Sequence, residues 1–558
     1  MRMATSSPAR PVPGLFRTRR GRVILENLTA YTFLFPAGLI IFLFGIFPVA
    51  FALYVSLHRW RRLPERYTGI DNYVRALDDL AYVFFFWLAA AALIYALVLL
   101  VQFWKSTRGQ SRSLALLLPG IANGIAILLV VRWFFTALPV VLDIPQRLLG
   151  QERVPGIFIS ELVASFQMPE VVAAANLALL MTVAGAALSY LLSRWLRVGE
   201  AGASLMRPTI ATLLAGLGII GLEFVTRSVS LAVAEAQAAG ESMPLWTQIL
   251  LISVGAALLV AAYALWTRAA REHDDRVFVL KVLATVALIA GGYLLVAELP
   301  RALDNADRNM LQSYSVTVMF VIGTVPFQLA IGLGLAYLLF QNIKGKAFFR
   351  MVYFLPYITP FVATSVVFKI LFSHRPTSLA NVILTSLGLS PQNWLLEPRG
   401  IFTLIFGPQL PDILAGPSLA LVVIMLYTVW TYIGYDTVIF LAGLVNIPGE
   451  LYEAARIDGA SGWQLFRHIT LPLLSPTTYF LSLIAIIGTF QAFTQIWVMR
   501  TPGSARSVDT VSVYIYETVR TTDPNMGYGS AMAFVLFVII LLLTFFQNRI
   551  SESRVFYG

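Results

Sequence analysis

Thr428, Thr431, Tyr432 and Tyr435 recur at i, i+3, i+4 and i+7, the spacing that gathers side chains on one face of a helix. Hydroxyls and aromatic rings in one stripe suit a sugar, whose hydroxyls need hydrogen bonds and whose C–H faces stack on apolar surface. The same groups also bond neighbouring helices in a membrane, and spacing alone leaves both uses open. Asp436 follows the stripe directly. A carboxylate near the middle of an apolar span costs about 2.5–3.5 kcal/mol on insertion scales, so it calls for a partner. Lys369 is one candidate and a watery cavity another; Arg132 and Glu223 invite the same reading as a pair. Other chemistry is thinly provided. Cysteine is absent, which excludes disulfides and thiolate metal sites. His58, His273, His374 and His468 are scattered, so no metal ligand set and no catalytic cluster is expected. Asp78-Asp79 and Asp274-Asp275 come nearest to paired acids, and charged loops account for them. No G-x-x-x-x-G-K followed by Ser or Thr occurs, so ATP is not bound by that route, and no cofactor is expected.

A second pattern lies just beyond the stripe, in Asn446 to Pro472, NIPGELYEAARIDGASGWQLFRHITLP. Pro448 suits a helix's first turn, where its missing N–H would be unpaired anyway. Glu450 and Glu453 favour the N-terminal half of that helix. Gly459 can take the left-handed conformation that ends it. Ser461 with Gln464 then makes a capping-box pattern for a second short helix, and Pro472 begins the next span. The expected product is a helix–turn–helix whose Ala454 and Ala455 leave its surface low enough for another protein to approach. On physical grounds alone an amphipathic helix lying at the membrane surface accounts for the segment equally well.

The elements that must position these residues are membrane spans. The chain has 558 residues, of which 58% are hydrophobic and 12% charged, where a soluble protein has about a quarter charged. A helix needs roughly 20 apolar residues to cross a bilayer, and twelve stretches qualify: 30–58, 81–104, 114–138, 171–193, 208–228, 247–267, 277–299, 315–341, 349–373, 417–445, 474–497 and 530–548. The net charge of +11 reflects basic residues between spans and does not point to nucleic acid. With the N-terminus inside and sides alternating, Lys105, Arg108 and Arg112 mark one inner loop and Lys344, Lys346 and Arg350 another. The first outer segment is the exception, with Arg59, Arg61, Arg62, Arg66 and Arg75. Residues 1–29 carry Arg2, Arg10, Arg17, Arg19, Arg20 and Arg22 against Glu26, and the long apolar run after them reads as an uncleaved anchor, not a signal peptide.

Glu453-Ala454-Ala455, Gly459 four residues later, and Ile469 with Leu471-Pro472 resemble the "EAA" loop of bacterial ABC importer permeases. KGKAFFRMVYFLPYITP (344–360), LGLSPQNWLLEP (387–398), MGYGSAMAFVLF (526–537) and, near the N-terminus, LYVSLHRW followed by TGIDNYVRAL (68–77) look like segments of the maltose and glycerol-phosphate permease type. The resemblance implies an all-α polytopic fold of about twelve helices. A cytoplasmic segment 1–29, a first core helix and outer loop 30–80 and a core 311–558 would flank an inserted membrane region 81–310 of six spans. Six is even, so the insertion leaves the core's orientation unchanged. It implies that 446–472 is the coupling loop that docks an ATPase subunit dimer, with Glu453, Ala454, Ala455, Gly459, Ile469, Leu471 and Pro472 as its fixed points. It implies further partners: a second related permease subunit, an extracytoplasmic solute-binding protein and membrane lipid. In such permeases this helix and the one after the loop line the solute site, where Thr428 and Tyr435 match lining positions; Thr489 and Gln491 are the candidates on the following helix. The maltose permease's run of asparagines is missing here, which argues against maltose itself. The implied function is the permease of an ATP-driven sugar importer in the bacterial plasma membrane, both termini cytoplasmic, with no catalysis of its own. An ion-gradient-driven transporter would rest on Asp436 alone, and a membrane-embedded enzyme on the acid pairs.

Overall fold

The computed structural model describes residues 19–107, 115–150, 155–196, 201–240, 243–270, 276–341, 343–411 and 414–551. Residues 1–18, Arg108, Arg112, His273 and Asp274-Asp275 therefore lie outside the described residues. The fold is all-α: among the described residues ten helices are long and apolar enough to cross a membrane, or twelve if two bent pairs each count as one span. A small antiparallel hairpin, His58–Trp60 against Pro64–Tyr67, accompanies them.

The first span runs over Glu26–Ser56, passing through a π turn at Phe42–Ile46. Its second half, Phe47–Ser56, packs on the terminal helix Met526–Ser551 at the other end of the sequence. Six long helices follow: Leu80–Thr107, Leu117–Leu142, Pro169–Leu196, Ala201–Ala238, Leu245–Ala269 and Arg276–Glu298. They pack chiefly on one another. Small residues set the contacts: an added Cβ on Gly120 or Gly124 would strike Pro208 or Thr212, and one on Gly218 would strike Leu93.

The ends of this six-helix stretch meet. Asp78 Oδ2 accepts from the Asn305 backbone N–H at 2.9 Å, and Arg75 O accepts from Asp307 N–H at 3.2 Å. Asp307 then caps the helix Arg308–Phe340 by accepting from Asn309 and Met310 N–H. Its other oxygen accepts the hydroxyls of Tyr528 (2.6 Å) and Tyr514 (2.8 Å). Burial alone would raise this carboxyl, but those four donors outweigh it and hold it below the ordinary range. Arg75 covers the Tyr528 ring at 4.3 Å. Two of the first outer segment's other arginines are also engaged, Arg59 with Glu65 and Arg61 with Asp523, each at 3.0 Å. Of the five arginines expected in the first outer segment, these two are ion-paired, and Arg62 donates to the Thr522 carbonyl at 3.3 Å.

Two expected spans are broken. Residues 349–373 divide into Lys346–Ile358 and Phe361–Leu371, bent by 96°. Thr359 precedes Pro360, whose ring drives the preceding residue out of the helical region; Thr359 sits at φ −71°, ψ 139°. Residues 474–497 form Ser475–Phe490, then a break, then the short Thr494–Met499. Through all this runs the central helix Leu419–Val445, two-thirds of whose most apolar window is buried (67%). It is enclosed by Arg308–Phe340, Lys346–Ile358 and Ser475–Phe490.

The adjacency of Asp78 and Asn305 predicts that joining Asp78 to Ala306, with 79–305 deleted, leaves a protein that inserts and purifies as a single folded species by size exclusion. Aggregation of every such deletion would count against it. Asp307→Ala should lower thermal stability in detergent by about 1–3 kcal/mol, since it strands two buried tyrosine hydroxyls.

Candidate functional site

The central helix carries the hydroxyl stripe into a cavity of about 220 Å³. Its walls are Gln328 from Arg308–Phe340, Tyr357 from Lys346–Ile358, and Thr428, Tyr432, Tyr435 and Asp436 from the central helix. Leu481, Ile484, Ala485, Gly488 and Thr489 from Ser475–Phe490, with Gln495 from the short helix beyond the break, complete it. The volume equals roughly seven waters at about 30 Å³ each. Tyr357 stacks on Tyr435 with centroids 4.9 Å apart and meets Tyr432 edge-on at 5.8 Å, so three rings form one side.

Four of the six residues singled out in the sequence therefore meet here: Thr428, Tyr432, Tyr435 and Thr489. Thr431 does not. It is fully buried and its hydroxyl donates to Tyr427 O at 2.9 Å, the helix-internal use. Gln491 does not either: the helix ends at Phe490, and Gln491 is exposed just past it. Gln495, one turn later, takes the place expected of it. Gln328, Tyr357 and Gln495 were missed, although a lone glutamine in an apolar span such as PFQLAIGLG is itself a signal, because its amide must face protein or water.

The partner expected for Asp436 is elsewhere. Lys369 Nζ donates to the carbonyls of Val498 (3.2 Å) and Arg500 (3.4 Å). Arg132 and Glu223 are both exposed, and among the described residues no ion pair joins them. Asp436 is 2% exposed, and its Oδ2 has no hydrogen-bond partner. Gln328, equally buried, has its Oε1 unpartnered too. Beyond the break, Arg500 pairs with Asp509 at 2.9 Å and with Glu517. Burial pushes Asp509 up to about 7, with Glu517 adding to the rise and Arg500 opposing it. Among the described residues no group of three potential metal ligands occurs.

Ten residues past Asp436 the central helix gives way to the second pattern. Pro448 stands at the N-cap in extended conformation (ψ 128°), one position before the helix Gly449–Ile457 and not within its first turn. Gly459 has φ +81°, the left-handed conformation expected of it. Both bonds of the capping box are present, Gln464 N–H to Ser461 Oγ (3.4 Å) and Ser461 N–H to Gln464 Oε1 (2.7 Å). The second helix, Gly462–Leu465, runs through a π turn into Leu471–Leu473, then bends by 63° into Ser475–Phe490. Tyr452 and Thr470 share a hydrogen bond at 3.0 Å that closes the loop on itself. Ile447 and Leu474 root it in the same apolar cluster as Leu444 and Leu481. Glu453 and Ala454 are exposed, Ala455 half so, and so are two large apolar side chains, Ile457 (86%) and Trp463 (65%). Ile469 and Leu471 are half-buried and Pro472 exposed at the loop's return.

The family model described as "Binding-protein-dependent transport system inner membrane component" matches residues 328–557. An arabinooligosaccharides transport system permease protein of Bacillus subtilis (strain 168) is 35% identical over 242 residues, 43% of this chain and 69% of its own length. A lactose transport system permease protein of Rhizobium radiobacter is 31% identical over 248 residues, 44% of this chain and 76% of its own length. A bacterial alginate ABC transporter, solved in complex with an alginate pentasaccharide-bound periplasmic protein, aligns with TM-score 0.37 and 22% identity over 44% of this chain and 80% of that one.

Two glycines separate packing from site. A Cβ on Gly434 would fall on the Tyr353 carbonyl, whereas one on Gly488, in the cavity wall, meets nothing within 4 Å. Gly434→Ala should therefore lower thermal stability by about 1–3 kcal/mol, and Gly488→Ala should leave it within about 0.5 kcal/mol. Melting curves of the purified variants check both.

Proposed function

The chain belongs to the family of binding-protein-dependent transport system inner membrane components and is a membrane-spanning transport permease, and we propose that it serves an ATP-driven importer of sugars or related neutral polyhydroxylated solutes. One observation carries the reading. The loop 446–472 is a folded helix–turn–helix, fixed at its base and at Tyr452–Thr470, yet it presents Glu453, Ile457 and Trp463 to solvent. Exposed side chains of that size on a rigid projection suit a protein partner. That partner is an ATPase subunit dimer on the cytoplasmic side, where both termini also lie.

In this reading a second, related permease subunit completes the path, and an extracytoplasmic solute-binding protein delivers the solute. The core is 30–80 with 311–558; residues 81–310 form an added membrane layer facing lipid. The sugar class rests on the cavity's three rings and hydroxyls, and on the solutes in the names of the arabinooligosaccharide and lactose relatives. ATP hydrolysis by the partner would move the loop, and through it the central helix. The loop itself performs no chemistry. An ion-gradient-driven transporter would leave this loop without a purpose, and uptake that persists without ATP would favour it.

The test is reconstitution of the complex with its binding protein. Gly459 at φ +81° cannot become β-branched without strain of about 1–2 kcal/mol, and Glu453→Ala removes a charged contact from the docking face. Both Gly459→Val and Glu453→Ala should reach the membrane and lower solute-stimulated ATP hydrolysis by roughly tenfold. Normal stimulation in both variants would refute the docking role.

A further inference from the structure

Four charges without ion-pair partners stand around one cleft. The cleft, about 560 Å³, lies between the segment Arg66–Asp71 and the helix Ala201–Ala238, beside Tyr82. That volume is ordinary for a small-ligand site. Arg66 and Arg227 line it together with Asp71 and Glu235. All four are exposed, and among the described residues none of them forms an ion pair, unlike Arg59 and Arg61 nearby. Burial lifts the Asp71 carboxyl, Glu235 adds to the rise and Arg66 opposes it, so both stand within electrostatic reach of Asp71. A ligand that answers all four charges must carry an anion and a cation.

The cleft sits at the edge of the apolar layer. A Cβ added at Gly221 would meet Ala89, nine residues after the start of Leu80–Thr107. One at Gly216 would meet Leu128, fourteen residues before the end of Leu117–Leu142. The further contacts Gly218–Leu93 and Gly124–Thr212 show that the first neighbour runs antiparallel and the second parallel. Laid off along Ala201–Ala238, both distances reach Ser230. Arg227 is about one turn below that level and Glu235 a little over one turn above it. The face that carries them, Leu217, Ile220, Phe224, Arg227, Leu231 and Glu235, repeats at three and four residues. Below Arg227 it is wholly apolar, with Leu217 and Ile220 exposed. A phospholipid changes from acyl chain to headgroup along its length in the same way.

We propose that this cleft holds a phospholipid whose headgroup is a phosphoethanolamine: Arg66 and Arg227 take the phosphate, Asp71 and Glu235 take the primary ammonium, and an acyl chain lies along Phe224, Ile220 and Leu217. Guanidinium groups bond phosphate oxygens in pairs. Carboxylates need N–H donors, which a primary ammonium has and a quaternary one lacks. A headgroup with no ammonium leaves both carboxylates facing its negative charge. The lipid joins the segment after the first span to the six-helix stretch, and its binding is independent of which solute is carried.

The sequence has no cysteine, so Ser228→Cys places a single thiol in the cleft wall of the full chain. Its labelling by a water-soluble maleimide is followed in detergent micelles carrying phosphatidylethanolamine, phosphatidylglycerol or phosphatidylcholine with the same acyl chains. Phosphatidylethanolamine should slow labelling by about tenfold, and the other two by less than about twofold. Adding Asp71→Asn with Glu235→Gln should let phosphatidylglycerol protect as well as phosphatidylethanolamine does. Adding Arg66→Gln with Arg227→Gln should abolish protection by all three. These side chains are exposed, so the substitutions leave the packing intact. Equal protection by the three lipids overturns the inference, and so does protection unchanged by either double substitution. Equal slowing at Ser230→Cys, an exposed position that does not line the cleft, would mean shielding by the micelle and also overturns it. Glycerophosphoethanolamine, the headgroup without its chains, should not protect at the same concentration. If it does, the site takes a soluble zwitterion and the lipid assignment falls.

Discussion

Everything in the core depends on how closely backbones approach the central helix. Gly434 lets the Tyr353 carbonyl sit where a side chain would be, Gly332 admits Asp436, Gly443 admits Thr477 and Leu474, and Gly323 receives Met425. In lipid, helices gain little from burying apolar side chains, because the alternative is equally apolar. Association comes instead from contact at short range and from polar groups that find partners. Four glycines spread along this interface give that contact over most of the span. They also fix the rotation of the helix, and with it which residues look into the cavity. Thr428 and Tyr435 face the cavity while Thr431 faces its own backbone because the packing, not the spacing of hydroxyls, sets the angle.

One helix thus lines the cavity and leads directly into the loop. Tyr435 and Asn446 are separated by eleven residues, about 16 Å along the axis at 1.5 Å per residue. Between them Leu441 and Leu444 pack with Leu474 and Leu481, which belong to the return from the loop and to the helix that supplies Thr489. A displacement of the loop cannot be absorbed locally, because Tyr452 holds Thr470 and the base is packed on both sides. On the docking role proposed above, it would be passed to the two helices that line the cavity. The bends at Thr359–Pro360 and at Leu474 are the places where direction changes without loss of contact, and both lie beside cavity-lining helices.

Much of this was legible in the sequence, for reasons that are physical. Length and apolarity set the spans: among the described residues ten of the twelve stretches reappear as long helices, 349–373 as a bent pair, and 474–497 as the helix Ser475–Phe490 followed by a break. The turn at Gly459 and the box at Ser461 and Gln464 depend on neighbours in sequence, and both formed as expected. What could not be read needed partners distant in sequence. The break after Phe490 has no proline to announce it, so Gln491 was placed in the wall that Gln495 occupies. Lys369 and Asp436 are the nearest unlike charges by composition, but Lys369 lies next to the carbonyls that end Thr494–Met499. The hairpin at His58 was missed because its short strands carry arginines that pair locally and with Asp523.

The partnership of the first span with the terminal helix has a consequence in time. Ser56 and Met526 stand 470 residues apart (526 − 56). At roughly 5–20 residues per second, synthesis of the intervening chain lasts on the order of half a minute to a minute and a half. Throughout that interval the first span must wait in the bilayer without its eventual neighbour. Its composition suits the wait: the most apolar window has a mean hydropathy of 2.5, and only 6% of it is buried even in the finished protein. The polar groups at its far end are looked after by nearby sequence, Asn72 donating to the carbonyls of Ser56 and His58, and Tyr73 sharing a hydrogen bond with Ser56. A nascent chain can therefore hold this helix in the bilayer while the eight long helices and two bent pairs of the described residues between them are threaded, and dock it on the terminal helix last.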